Sequence, residues 1–215
     1  MSNIKKIYYF ASTHWDREWH RPFQGFRFVL VSRINEIIDV LEKDPSFTTF
    51  IMDGQTIVLD DYCKIEPDKK ERLIKLIKDG RIVVGPWYTM PDEFLVSGES
   101  LIRNLIIGHD LAESYGGNAM KYGYICDIFG HIAQMPQIFK GFNIKGALLG
   151  RGTNYQNCPA HFMWESPDGS KCITFKVPEE MGYATFWSDV YEAYQFGKDT
   201  DKENIINRAC AYVDR

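Results

Sequence analysis

The 215 residues carry 25 Lys and Arg against 29 Asp and Glu, a formal net charge of −4, and are 45% hydrophobic and 14% aromatic. That balance suits one soluble domain, 1–215, or part of a larger one; it lacks the basic run a nucleic-acid partner would need and the stretch of about 18 apolar residues a membrane span would need. Five cysteines, odd in number and without C-x-x-C spacing, read as reduced thiols, and no apolar leader core precedes residue 4, so the cytoplasm is the expected compartment.

Residues 4–11, Ile-Lys-Lys-Ile-Tyr-Tyr-Phe-Ala, read as a first strand. A helix follows over 26–43, with Val29, Ile34, Ile37, Ile38 and Leu41 on one face. Residues 47–52 form a second strand closed by Asp53-Gly54, and 67–79 a helix that buries Leu73, Ile74 and Ile77 and stops at Gly80. A short third strand, 82–84, leads into Gly85-Pro86-Trp87. Ser97 is placed to cap a helix running to Tyr115 and ended by Gly116-Gly117. Residues 122–126 make a fourth strand, 132–142 a helix and 146–149 a fifth strand. Beyond Arg151, strands 162–165 and 172–177 flank the turn-rich 166–170 as a hairpin, and helices are expected over 188–196 and 201–213.

Strands that alternate with helices and are apolar throughout imply α/β architecture, a parallel sheet covered on both faces. Five strand–helix units are too few to close a parallel barrel of roughly seven or eight strands. The expectation is an incomplete (β/α) barrel-like sheet with flanking helices and a C-terminal hairpin, cut from a longer enzyme.

The chemistry collects at two strand ends. His14 and Asp16 lie in Ser12-Thr13-His14-Trp15-Asp16-Arg17-Glu18-Trp19, and Asp127 in Tyr124-Ile125-Cys126-Asp127-Ile128-Phe129-Gly130-His131. In an extended chain His14 and Asp16 share a side and Trp15 takes the other. Parallel strands gather their C-termini at one edge, so Asp127 can supply a third ligand to an open divalent-metal site. An imidazole with carboxylates suits zinc; manganese or cobalt tolerate the same set. The plainer account is a strand-end histidine bonded to Asp16 with no metal.

The same runs, with Asp53-Gly54-Gln55-Thr56 and Gly85-Pro86-Trp87-Tyr88 between them, resemble the N-terminal catalytic segment of glycoside hydrolase family 38, the zinc-dependent α-mannosidases, over residues 6–151 and less clearly beyond. The bacterial branch that includes mannosylglycerate hydrolases is the nearest likeness. The resemblance implies a retaining mechanism with Asp127 as nucleophile and zinc ligand and with His14 and Asp16 as further ligands. Its substrate would be an α-mannoside, either mannosylglycerate or a mannosyl oligosaccharide. Arg151 falls on a family arginine near the nucleophile, and Trp19 on a position that favours stacking on sugar. The remaining histidine ligand and the acid/base aspartate of the family lie further along than Arg215, so the isolated chain is expected to bind metal weakly and turn nothing over. The remainder of the enzyme would then be its partner, and a homo-oligomeric state is left open.

Other residues carry smaller expectations. Phe129 would shape the sugar pocket or pack in the core. Asp92 and Glu93 would bind sugar hydroxyls or, more simply, form a solvated loop pair. Asp60 and Asp61 read as an exposed helical face, His109 as a core-edge residue, His131 as a residue orienting the Asp127 loop, and Met90, Met135 and Met163 as packing. Two rival functions stand beside the hydrolase. One is a metal-dependent polysaccharide deacetylase, which would want an H-x-x-x-H element that this sequence lacks; the other is a non-catalytic carbohydrate-binding fragment.

Overall fold

The computed structural model describes residues 6, 8–179, 181–199 and 201–213. Three parallel strands, β1 (Ala11–Ser12), β2 (Phe50–Ile51) and β3 (Ile82–Val83), form one sheet in the order β1-β2-β3. Three helices cover it: α1 (Phe23–Lys43), α2 (Ile57–Cys63) and α3 (Lys70–Lys78). Leu30, Ile34, Ile38 and Leu41 of α1 are spaced for one helical face, and they pack with Tyr62 and Leu73 in the first core.

The second half holds α4 (Gly98–Ser114), β4 (Tyr122–Ile125), α5 (Met135–Gly141), β5 (Gly146–Leu149), β6 (His161–Glu165) and β7 (Lys171–Lys176). The sheet order is β4-β5-β7-β6, parallel except for the antiparallel β6–β7 hairpin. A second core surrounds Trp87, Leu105, Ile125 and Phe139. Trp87 is wholly buried and donates through Nε1 to the Tyr124 carbonyl at 3.1 Å, so this tryptophan is a core anchor. The chain then makes a π-helical turn, Trp187–Tyr191, followed by α6 (Glu192–Gln195) and α7 (Lys202–Val213).

Several expectations meet their physical signals here. Ser97 Oγ accepts the Ser100 amide at 3.2 Å as the α4 cap. Gly116 adopts φ +80 where that helix ends. Other expectations are corrected. The five parallel strands lie in two sheets, because no ladder pairs β3 with β4. The halves are joined instead by Met120 N–H on the Val84 carbonyl at 2.9 Å and by the Trp87–Tyr124 bond.

Of the expected first strand, residues 4, 5 and 7 lie outside the described residues, and pairing begins only at Ala11. Helix α5 starts at Met135, where the helix over 132–142 was expected, which puts Pro136 in the first turn, where proline is tolerated. Helix α2 had no expected bounds, although Asp60 and Asp61 read as a helical face. It buries Asp61, which Arg17 pairs at 2.7 Å, so the exposed face read for Asp60 and Asp61 is wrong for Asp61. Met163 stands exposed at the hairpin, while Met135 packs in the core as expected.

Candidate active site at the strand ends

The turns after β1, β2, β4 and β5 converge at the C-terminal edge of the parallel strands. Close backbone approach makes the convergence possible. A Cβ on Gly150 would lie 1.6 Å from the Cys126 carbonyl oxygen, and one on Gly152 (φ +84) 2.7 Å from Gly130 N. Only glycine lets the β5 turn press against the turn that carries Asp127.

His14 sits at the centre. Its Nε2 faces Asp127 Oδ2 at 3.2 Å and Asp16 Oδ1 at 3.5 Å. Alternation of side chains delivers His14 and Asp16 to the same side, while Trp15 packs against the first core. On the other side of the ring, Nδ1 lies 3.2 Å from Asp53 Oδ1. Asp53 is fully buried and also accepts the Trp15 amide at 2.6 Å and Gln55 Nε2 at 2.7 Å. Gln55 in turn accepts the Met90 amide at 3.0 Å. The Cys126 thiol lies 3.3 Å from the same His14 nitrogen.

These contacts set the electrostatics. Burial alone would lower the His14 pKa, but the hydrogen bond to Asp53 and the charges of Asp53, Asp16 and Asp127 outweigh it, and the pKa is raised. Burial pushes the Asp53 carboxyl up against the opposing pull of His14 and Gln55. Burial, then the nearby Asp53 and Asp127 charges, hold the Cys126 thiol well above the ordinary range.

Two donor sets can be drawn around this histidine, His14–Asp16–Asp127 and His14–Asp53–Cys126, each with its ligand atoms within 4.8 Å. The second is saturated by its own hydrogen bonds and contains a thiol that stays protonated. The first leaves His14 Nε2 buried with no hydrogen-bond partner, facing two carboxylates. Tetrahedral zinc with bonds of about 2.0–2.1 Å sets its ligand atoms roughly 3.3–3.4 Å apart, and this separation fits. The residues present therefore suit a divalent cation at His14, Asp16 and Asp127.

Around that point lie two adjoining cavities of about 350 and 850 Å³, both lined by Asp16, Asp127 and Phe129. Asp92 lines the smaller; Trp19, Arg151 and Tyr183 line the larger. Arg151 Nη2 pairs with Asp127 Oδ1, and its guanidinium lies 4.1 Å over the Phe129 ring. Trp19 and Phe129 are mostly exposed, so neither is a core aromatic. Glu93 is not a solvated loop residue: it is buried against His131. His109 binds the Leu105 carbonyl on its own helix, away from these cavities, and His161 opens β6.

Sequence reasoning brought His14, Asp16, Asp127 and Arg151 to one place and missed four residues there. Asp53 and Gln55 stood in a quoted motif without a role; an Asp-Gly at a parallel strand end was the available signal. Cys126 was read as a strand residue and a reduced thiol, with no role at the site. Tyr183, whose ring centroid lies 4.9 Å from that of His14, follows the hairpin and had no signal. Its hydroxyl pKa is pushed up to about 12, by burial first and by Asp127 next.

A parallel α/β scaffold that gathers an imidazole, carboxylates and an arginine around an open cavity at its strand ends has the layout of a ligand site of the α/β class. The chain belongs to the family of the glycosyl hydrolases family 38 N-terminal domain, whose model matches residues 5–209. It is 40% identical over 181 residues to the "Putative mannosylglycerate hydrolase" of Halalkalibacterium halodurans, covering 79% of this chain and 20% of that protein. It is 30% identical over 163 residues to "Alpha-mannosidase 2" of Spodoptera frugiperda, covering 74% of this chain and 14% of that one. The crystal structure of an alpha-mannosidase from Enterococcus faecalis V583 superposes with a TM-score of 0.81 at 33% identity, over 95% of this chain and 22% of that one. The chain thus spans about a fifth or less of the length of these relatives. The family match favours the glycoside hydrolase over the deacetylase and the non-catalytic binding fragment. Among the described residues no helix is long and apolar enough to cross a membrane.

Proposed function

We propose that this chain is the N-terminal catalytic segment of a retaining α-mannosidase, with Asp127 as nucleophile and His14, Asp16 and Asp127 as metal ligands. The observation that carries the reading is the orphaned His14 Nε2 facing Asp127 and Asp16, beside a cavity lined by Trp19, Phe129 and Arg151. Zinc suits the donor set best, with manganese or cobalt as substitutes. When bound, the cation would hold sugar hydroxyls and favour a ring distorted toward the transition state.

The residues of the chain do the rest. Asp53 holds His14 in the Nδ1–H tautomer, which leaves Nε2 free to ligate. Arg151 grips one oxygen of Asp127 and so fixes the direction in which the carboxylate faces. The Asp127 carboxylate attacks the anomeric carbon as the glycosidic bond breaks, and the leaving oxygen takes a proton from an acid/base carboxyl about 5 Å away. On this reading the acid/base residue and the remaining ligand would come from the stretch of the relatives that this chain does not span. Trp19 and Phe129 offer aromatic faces to the sugar. The substrate class is an α-mannoside, mannosylglycerate or a mannosyl oligosaccharide, met in the cytoplasm.

The test is hydrolysis of an aryl α-mannoside by the full-length protein that carries this chain, with and without a chelator. Retention of the α-anomer in the first product, and its abolition by Asp127→Asn, is the expected result. Acetate release without sugar release, or full activity in Asp127→Asn, would overturn the reading.

A further inference from the structure

A second set of buried groups reaches Asp127 without touching it. The side chains of Glu93 and His131 are 0% and 4% exposed. Glu93 Oε2 accepts the Ile132 amide at 2.8 Å, and Oε1 lies 2.9 Å from His131 Nδ1. His131 Nε2 lies 2.8 Å from the carbonyl oxygen of Arg151. A carbonyl only accepts, so Nε2 carries a hydrogen. Two lone pairs cannot face each other at 2.9 Å, so a proton also lies between Nδ1 and Oε1. The Trp164 ring packs against the imidazole in an edge-to-face arrangement, with centroids 5.7 Å apart.

Arg151 is therefore held twice. Its carbonyl is fixed by His131, and its guanidinium lies between the Asp127 carboxylate and the Phe129 face. Phe129 and His131 both belong to the turn that carries Asp127, so the turns after β4 and β5 are fastened at the backbone as well as at the side chains. Burying a carboxylate and an imidazole is unfavourable unless they are paired. A simple loop start would need neither, and Ile132 precedes the first helical residue of α5.

We propose that Glu93 and His131 are positioning residues that set the Arg151 backbone and, through it, the contact that aims the Asp127 carboxylate. This rests on the reading of Asp127 as nucleophile. Because the pair acts by placement, Gln at position 93 can substitute: its amide donates to Nδ1 and its carbonyl accepts Ile132 N–H.

The experiment is a mutant cycle in the full-length protein, read as kcat and KM on an aryl α-mannoside, with bound-metal content and thermal unfolding measured in parallel. Glu93→Ala and His131→Ala are expected to lower kcat by about 10–100-fold with metal content retained and KM little changed. Glu93→Gln is expected to recover most of that loss. The double variant His131→Ala/Arg151→Ala should be no worse than Arg151→Ala alone, because one residue acts through the other. If the alanine variants do not fold, His131→Asn, too short to reach the Arg151 carbonyl, takes their place in the cycle. Losses that add, a change confined to KM, or Glu93→Gln as impaired as Glu93→Ala would overturn the proposal. Asp127→Asn separates the two failures: if it stays active the nucleophile reading falls, and if it is dead while the cycle adds, only the positioning role falls.

Discussion

His14 Nδ1 donates to the buried carboxylate of Asp53 across 3.2 Å, and this bond decides what the other ring nitrogen can do. With the hydrogen held on Nδ1, the Nε2 lone pair points at Asp16 and Asp127. Asp53→Asn keeps the shape but removes a charge and one acceptor, so the Trp15 amide, Gln55 Nε2 and the imidazole must compete for a single oxygen. Zinc affinity is expected to fall by about 10–100-fold, the usual effect of losing such a supporting carboxylate. Competition against a chromophoric chelator measures it; an unchanged affinity would show that the tautomer is set elsewhere.

Acidity acts on the same ring, with opposite signs for stability and for metal. The pKa of His14 is raised in the metal-free protein: burial lowers it, but Asp53, Asp16 and Asp127 outweigh burial. A raised histidine pKa contributes stability that is complete below the unfolded value of about 6.5 and is lost as pH rises through the folded value. Metal binding needs the Nε2 lone pair, so protons compete with the cation. Zinc affinity should begin to weaken at a higher pH than an unperturbed imidazole would give, and continue to fall as pH drops. Affinities measured from about pH 8 to about pH 5 check this, an ordinary histidine profile being the contrary result.

The parts of this structure that were legible in the sequence are those where one local signal decides the outcome. The apolar face of α1, the Ser97 cap and the Ser166-Pro167-Asp168-Gly169-Ser170 hairpin link follow from periodicity and turn chemistry. His14 and Asp16 share a face because strands alternate. Asp53 and Glu93 were not legible in the same way. Each is a buried carboxylate whose partner lies 39 or 38 residues away, and only the tertiary fold brings the partners together. Asp61 was misread for the same reason: an Asp-Asp pair on a helix suggests solvent, until Arg17 arrives from the β1 turn.

Arg17 and Asp61 accordingly carry a stability prediction. Asp61 has a side chain 3% exposed and receives two bonds from Arg17, at 2.7 and 3.1 Å; the arginine is 36% exposed. Arg17→Ala leaves a carboxylate buried without its cation, which costs about 3–5 kcal/mol for fully buried pairs. Solvent on the arginine screens part of that, so about 1–3 kcal/mol is expected here. Asp61→Asn, whose amide oxygen still accepts from Arg17, should cost less. Urea denaturation of both variants tests the order, and equal losses would mean that charge contributes nothing at this contact.

Gly108 gives a prediction in which local propensity and packing disagree in sign. Within a helix, Gly→Ala is ordinarily stabilising by about 1 kcal/mol. In α4, however, a Cβ at this position would lie 2.2 Å from the Pro86 carbonyl oxygen and 2.5 Å from the Trp87 carbonyl carbon. Both are backbone atoms, and that segment is pinned further by Asn104 Oδ1, which accepts the Tyr88 amide at 2.8 Å. The helix must therefore lift away from the strand-end turn, and overpacking of this kind costs about 1–3 kcal/mol or more. Gly108→Ala is expected to destabilise by about 1–2 kcal/mol net and to disturb Trp87, buried in the second core beneath it. Denaturation read by near-UV circular dichroism reports both effects; a stabilised variant with an unchanged tryptophan signal would show that α4 does not press on the Pro86–Tyr88 backbone as closely as these distances require.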